Sequence, residues 1–107
     1  MALETTQAIR LARTLRELRE SAWPGIELTQ AQLAKALSAD SRVASATLSS
    51  WESLTNPKTP TASRLTSYAR FFATRRSVEG HEPHLLAEKD LTADELERFH
   101  ELESELL

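Results

Sequence analysis

The sequence contains no cysteine, two glycines and few aromatic residues, and each shortage excludes a class of protein. Without cysteine there is neither a disulfide framework nor a thiolate metal site. An all-β barrel or sandwich of 107 residues needs many tight turns at positive φ, which two glycines cannot supply. No apolar run approaches the roughly 18 residues that span a bilayer, and the N-terminus lacks a signal-peptide pattern. The sequence therefore predicts a helical, soluble, cytoplasmic protein without a membrane segment.

The 107 residues, of which 40% are hydrophobic, suffice for one core, but their charge is unevenly distributed. Residues 1–77 hold 11 Lys/Arg and 6 Asp/Glu, a formal charge of +5, whereas residues 78–107 hold 2 and 10, a charge of −8. This asymmetry predicts a basic working surface with an acidic segment kept away from it. The alternative is that the acidic residues serve only solubility.

Apolar residues recur at spacings of three and four in five segments, as on the buried faces of helices. Capping boxes mark the start of two of these helices, Thr29 with Gln32 and Thr92 with Glu95. Thr59 and Pro60 suit the cap and the first position of the fourth. The predicted helices cover, in order, about 6–20, 30–38, 44–53, a segment from 60 onward and one from 93 onward.

Four segments, in this order, resemble the Cro/C1-type (Xre, lambda-repressor-like) helix-turn-helix DNA-binding domain. They are residues 15–19 (LRELR), 28–34 (LTQAQLA), 47–52 (TLSSWE), and Pro60 followed by Leu65, Tyr68, Ala69 and Phe72. The resemblance covers about residues 8–74 and implies an all-α, five-helix lambda-repressor-like domain. The loops between helices 1 and 2 and between helices 2 and 3 are longer than is usual in that family. We expect residues 1–77 to form the helix-turn-helix domain, and residues 78–107 a connector and an acidic C-terminal helix that dimerises or leads to a missing domain.

The resemblance also implies roles for individual residues, with the third helix in the major groove of double-stranded DNA. The residues that would face the bases are Ser45, Ala46, Ser49 and Ser50. Those that would contact phosphates are Arg16, Gln30, Asn56, Lys58 and Thr59. Arg19 would turn inward and form a structural ion pair with Glu52. Because the base-facing positions carry no Arg, Gln or Asn, we expect weak readout or reliance on DNA shape.

The last helix carries a stripe of large apolar side chains, which must be covered by the chain's own core or by a partner. The stripe consists of Leu96, Phe99, Leu102 and Leu106. In the family that the chain resembles, the fifth helix often lies at a two-fold contact. We therefore expect these residues to form the contact of a homodimer, and packing onto the chain's own domain is the alternative.

The remaining motifs do not favour catalysis or metal binding. The sequence has no nucleophile elbow, no Gly-rich phosphate loop and no HExxH motif, so an enzyme is not expected. His81, Glu82, His84 and His100 fall short of the ligand set of a structural metal site, and no cofactor is predicted. The expected function is that of a DNA-binding transcriptional regulator. The alternatives are a protein-interaction or oligomerisation module that keeps the fold without binding DNA, and the N-terminal part of a longer effector protein.

Overall fold

The structure of the protein, a computed structural model, describes residues 2–39 and 41–107, with side chains from Thr6 onward. The described residues form five α-helices, which confirms the predicted all-α class. The helices are α1 (Ala2–Ser21), α2 (Gln30–Leu37), α3 (Ser45–Trp51), α4 (Ala62–Phe72) and α5 (Ala93–Leu106), with short 3₁₀ turns at Arg75–Val78 and Glu88–Asp90. None of the described helices has the length and apolar character needed to cross a membrane.

Helix α4 lies at the centre of the core. The predicted stripe of Leu65, Tyr68, Ala69 and Phe72 is buried, and Phe71 beside it is also fully buried. Apolar side chains on more than one side of a helix require covering elements on more than one side. One cover is Trp23 from the α1–α2 loop, whose ring stacks on Phe72 with 5.3 Å between centroids and lies 6.0 Å from Phe71. The aromatic cluster thus fixes this long loop against the core.

Helix α5 packs against α4 of the same chain, which is the alternative to the expected dimer contact. Phe99, Leu102 and Leu106 are 4%, 1% and 6% exposed in the single chain and belong to its core, and Leu96 packs against it partly buried. The Thr66 hydroxyl on α4 also donates a hydrogen bond to the Glu103 carboxylate, 3.0 Å away. Because these apolar side chains are already covered, they do not present a surface to a second copy.

An ion pair between Arg76 and Glu95 holds the start of α5. The Arg76 Nε atom lies 3.1 Å from Glu95 Oε2, and its Nη2 atom donates to the Asp90 carbonyl oxygen at 2.8 Å. Hydrogen bonds from Arg76, and then from Thr74 and the Thr92 backbone, lower the pKa of the Glu95 carboxyl to about 2. The same carboxylate completes the predicted capping box with Thr92, so one side chain sets both where α5 begins and where it docks.

Helix boundaries differ from the sequence prediction around the fourth helix. Its cap is Thr61, whose hydroxyl accepts from the Arg64 amide at 3.3 Å, and not Thr59. Pro60 is buried and precedes the cap instead of opening the helix. Thr59 and Thr61 are both suitable caps. Because Pro60 between them is buried ahead of the helix, Thr61 is the residue at the helix start.

Candidate nucleic-acid interface

Helices α2 and α3 are short, follow one another in the chain and pack against each other. The capping box of α2 is complete, because the Gln32 amide donates to Thr29 Oγ1 (3.1 Å) and the Thr29 amide donates to Gln32 Oε1 (2.9 Å). Helix α3 buries Leu48 and Trp51 and leaves most of its other side chains in solvent. Burial of these two residues fixes which side of α3 faces outward.

A long turn joins α2 to α3, and two side chains organise its described part. The Ser38 hydroxyl donates to the Ala34 carbonyl oxygen (2.7 Å) and accepts from the Val43 amide (2.9 Å). Arg64 of α4 donates to the Ser41 carbonyl oxygen (3.1 Å) and to its hydroxyl (2.7 Å), with longer bonds to two further carbonyls. A guanidinium has several donors in a fixed geometry, which suits it to hold a backbone loop. Arg64 therefore positions the start of α3.

Replacing Arg64 with lysine should loosen this turn. An ammonium group cannot reach several acceptors in the same geometry, so we expect a loss of about 1 to 2 kcal/mol in the free energy of unfolding. The Val43 amide, which is bonded to Ser38, should exchange with solvent faster. Denaturant titration and amide hydrogen exchange measure the two effects. Arg13→Lys at an exposed position of α1 is the control, and equal behaviour of the two variants would refute the role of Arg64.

The outward side of α3 is small and polar. Ser45, Ala46 and Ser49 are exposed, as expected for residues that face a ligand, whereas Ser50 is half-buried. The Ser50 hydroxyl donates to the Thr47 carbonyl oxygen at 2.6 Å, and its own carbonyl accepts from the Lys58 amide at 3.0 Å. The Ser50 hydroxyl is thus already engaged within the chain.

A groove of about 840 Å³ runs between the C-terminal half of α1, the start of α2 and the exposed side of α3. It brings together four of the predicted DNA contacts, Arg16, Gln30, Ser45 and Ser49. The acidic side chains of Glu20, Glu27 and Glu52 line the same groove. We call this surface the α3 groove.

The predicted ion pair between Arg19 and Glu52 is present at the inner edge of the α3 groove. Arg19 Nε donates to both Glu52 carboxylate oxygens (3.0 and 2.9 Å), and its Nη2 donates to Oε1 at 2.9 Å. The remaining guanidinium nitrogen, Nη1, donates to the Leu28 carbonyl oxygen, and Gln30 Nε2 donates to Glu52 Oε1 at 3.1 Å. Hydrogen bonding to Glu52 raises the pKa of Arg19, and burial raises the pKa of the neighbouring Tyr68 phenol. The pair ties α1 and the start of α2 to the end of α3.

The predicted phosphate contacts do not form one surface. Asn56 and Thr59 line a second groove, between the N-terminal half of α1, the loop after α3 and the end of α5. The same groove contains Arg10, an exposed cation that was not among the predicted contacts. Lys58 is exposed on the loop between α3 and α4.

The histidine-containing connector has no cluster of the kind that binds metals. Glu82 pairs with Lys35 of α2 at 2.9 Å, and His84 Nδ1 lies 3.2 Å from the Glu82 carbonyl oxygen. Among the residues with described positions, no three His, Asp or Glu side chains group closely enough to hold a metal ion.

Comparison of the chain with protein-family models, with curated proteins and with solved structures gave no match. Any assignment of function therefore depends on the residues and geometry described above.

Proposed function

We propose that the protein binds double-stranded DNA through α3 and acts as a transcriptional regulator of the Cro/C1 helix-turn-helix type. The observation that carries the proposal is the α3 groove, in which Ser45 and Ser49 of α3 lie beside Arg16 and Gln30. Small side chains allow a helix to approach base edges closely, and flanking cations and amides contact the phosphates of the same site.

The electrostatics of the chain support DNA as the partner despite its net charge of −3. All ten acidic residues of residues 78–107 lie on the connector or on α5, and none of them lines the α3 groove. Salt screens exposed charges that are farther apart than roughly 8 to 10 Å, so distant carboxylates weakly affect phosphates bound here. The homodimer also stays a prediction, and its contact would have to lie outside the apolar stripe of α5.

Binding to duplexes of random and selected sequence, followed by fluorescence anisotropy, tests the proposal. We expect the affinity to fall steeply as salt rises, because cations displace counterions from phosphates. Lys58→Ala should weaken binding to all sequences alike. Ser45→Arg should change the sequence selected from a random DNA pool toward guanine at one position, because arginine reads guanine bidentately.

Two results would contradict this proposal. One is the absence of salt-dependent binding to any duplex. The other is that Ser45→Arg and the parent select the same sequence, in which case α3 does not read the bases.

A protein-interaction module is the second candidate, and the carboxylates in the α3 groove favour it. Glu20 and Glu27 line this groove together with the predicted phosphate ligands, and carboxylates repel phosphate. A module of this kind would bind no duplex at low salt, so the same titration separates the two candidates.

A further inference from the structure

The two predicted phosphate ligands in the α3 groove are both bonded to carboxylates. Arg16 Nε lies 3.0 Å from Glu20 Oε1, and Gln30 Nε2 lies 3.1 Å from Glu52 Oε1. The Glu27 carboxylate lines the groove beside them and is exposed. A phosphate that enters this groove therefore meets two side chains that each already have one donor bonded to a carboxylate.

The Arg16–Glu20 pair contributes little to the fold. Its two side chains are 48% and 47% exposed, and exposed ion pairs are weak. The arginine also precedes the glutamate at a spacing of four, which is the less favourable order on a helix. By contrast, Glu52 is buried and its pair joins three helices. The clearest physical effect of Glu20 is thus to occupy the guanidinium of Arg16.

We propose that Glu20 and Glu27 lower the affinity of the α3 groove for DNA phosphates. Glu20 acts by pairing with Arg16 through Nε, so a phosphate either displaces this carboxylate or shares the guanidinium with it. Glu27 acts through its charge alone. This inference rests on the proposed function and adds to it a pair of residues that limit affinity.

Neutral isosteres of the two glutamates test the inference. Glu20→Gln should tighten binding of a random-sequence duplex by about threefold to tenfold. The interaction of two unit charges about 4 Å apart in water changes an affinity by roughly tenfold at most. For this variant, the slope of log affinity against log salt concentration should become steeper by about 0.9, which is the contribution of one additional phosphate contact. Glu27→Gln should tighten binding less, because no donor is released.

Glu97→Gln is the matched control. It removes the same charge from an exposed position on α5, which contributes no residue to the α3 groove, and should change the affinity by less than about twofold. Arg16→Ala supplies the second control, because without Arg16 the gain from Glu20→Gln should shrink to the size of the gain from Glu27→Gln. Unfolding midpoints of all variants should match that of the parent.

The outcomes are distinguishable. Equal effects of Glu20→Gln and Glu97→Gln, or a gain from Glu20→Gln that is undiminished with Arg16→Ala, would overturn the inference and leave DNA binding intact. If neither the parent nor any variant binds duplex at low salt, the proposed function fails and the inference fails with it.

Discussion

Replacing Arg19 with alanine should lower the free energy of unfolding by about 3 to 5 kcal/mol, the loss expected when one partner of a buried ion pair is removed. The Glu52 side chain is 1% exposed, and Arg19 supplies three of the hydrogen bonds that its carboxylate receives. Among the described residues, the bond from Gln30 is then the one that remains to this carboxylate, and a buried charge with one neutral donor is poorly compensated. Stability of a domain is commonly about 5 to 15 kcal/mol, so the loss is a large share of the total.

Denaturant titration followed by tryptophan fluorescence measures this loss, because Trp51 packs against Tyr68 in the core, with 6.1 Å between ring centroids. Arg13→Ala, at an exposed position on the same helix, is the matched control and should change stability by less than about 0.5 kcal/mol. The double substitution Arg19→Ala with Glu52→Ala should cost less than the sum of the two single ones, because no charge is stranded. Equal midpoints for Arg19→Ala and Arg13→Ala would show that the pair does not stabilise the fold.

Signals that are local in the sequence predicted the starts of two helices. The starts of α2 and α5 follow from capping boxes, in which Thr29 and Thr92 each pair with a residue three positions later. Both partners lie within one turn, so the geometry depends little on the rest of the molecule. Where two caps compete, as Thr59 and Thr61 do, the choice depends on burial of Pro60 and could not be made from the sequence alone.

Contacts between distant residues divide into two kinds. The pair of Arg19 and Glu52, 33 positions apart, was expected only because the family layout places both side chains inward. The bonds from Arg64 to the turn at Ser41 were not among the contacts that the resemblance implies. Periodicity places Arg64 on a helix surface but cannot identify the loop that lies opposite.

The residues that line the α3 groove could be predicted only in part from the sequence. The spacing of Arg16 and Glu20 is that of an intrahelical ion pair, so the sequence contains the signal that the arginine has a nearby carboxylate. Glu27 lies in the loop between α1 and α2, and its position in the groove depends on how that loop packs. Phosphate ligands are predicted from hydrogen-bond donors and cations. That criterion does not identify neighbouring carboxylates such as Glu20 and Glu27.

Substitution in the apolar stripe of α5 should also have a large effect on the free energy of unfolding. Leu102 is 1% exposed and belongs to the core, so Leu102→Ser should lower the free energy of unfolding by about 3 to 5 kcal/mol. The substitution leaves a cavity and also buries a hydroxyl group that the surrounding apolar side chains do not satisfy. Thermal or denaturant unfolding of the isolated chain measures the loss.

Leu107→Ser is the control at the end of the same segment, because Leu107 is 63% exposed and should tolerate the change within about 0.5 kcal/mol.

The pattern of spacings alone required only that the stripe be covered, and a dimer would cover it as well as α4 does. The two arrangements predict different products. A stripe covered by a second copy would give, with Leu102→Ser, a folded monomer of unchanged midpoint in sedimentation and unfolding experiments. A stripe covered by α4 gives a chain that is destabilised at every protein concentration, and we expect this second result because the contact is within one chain.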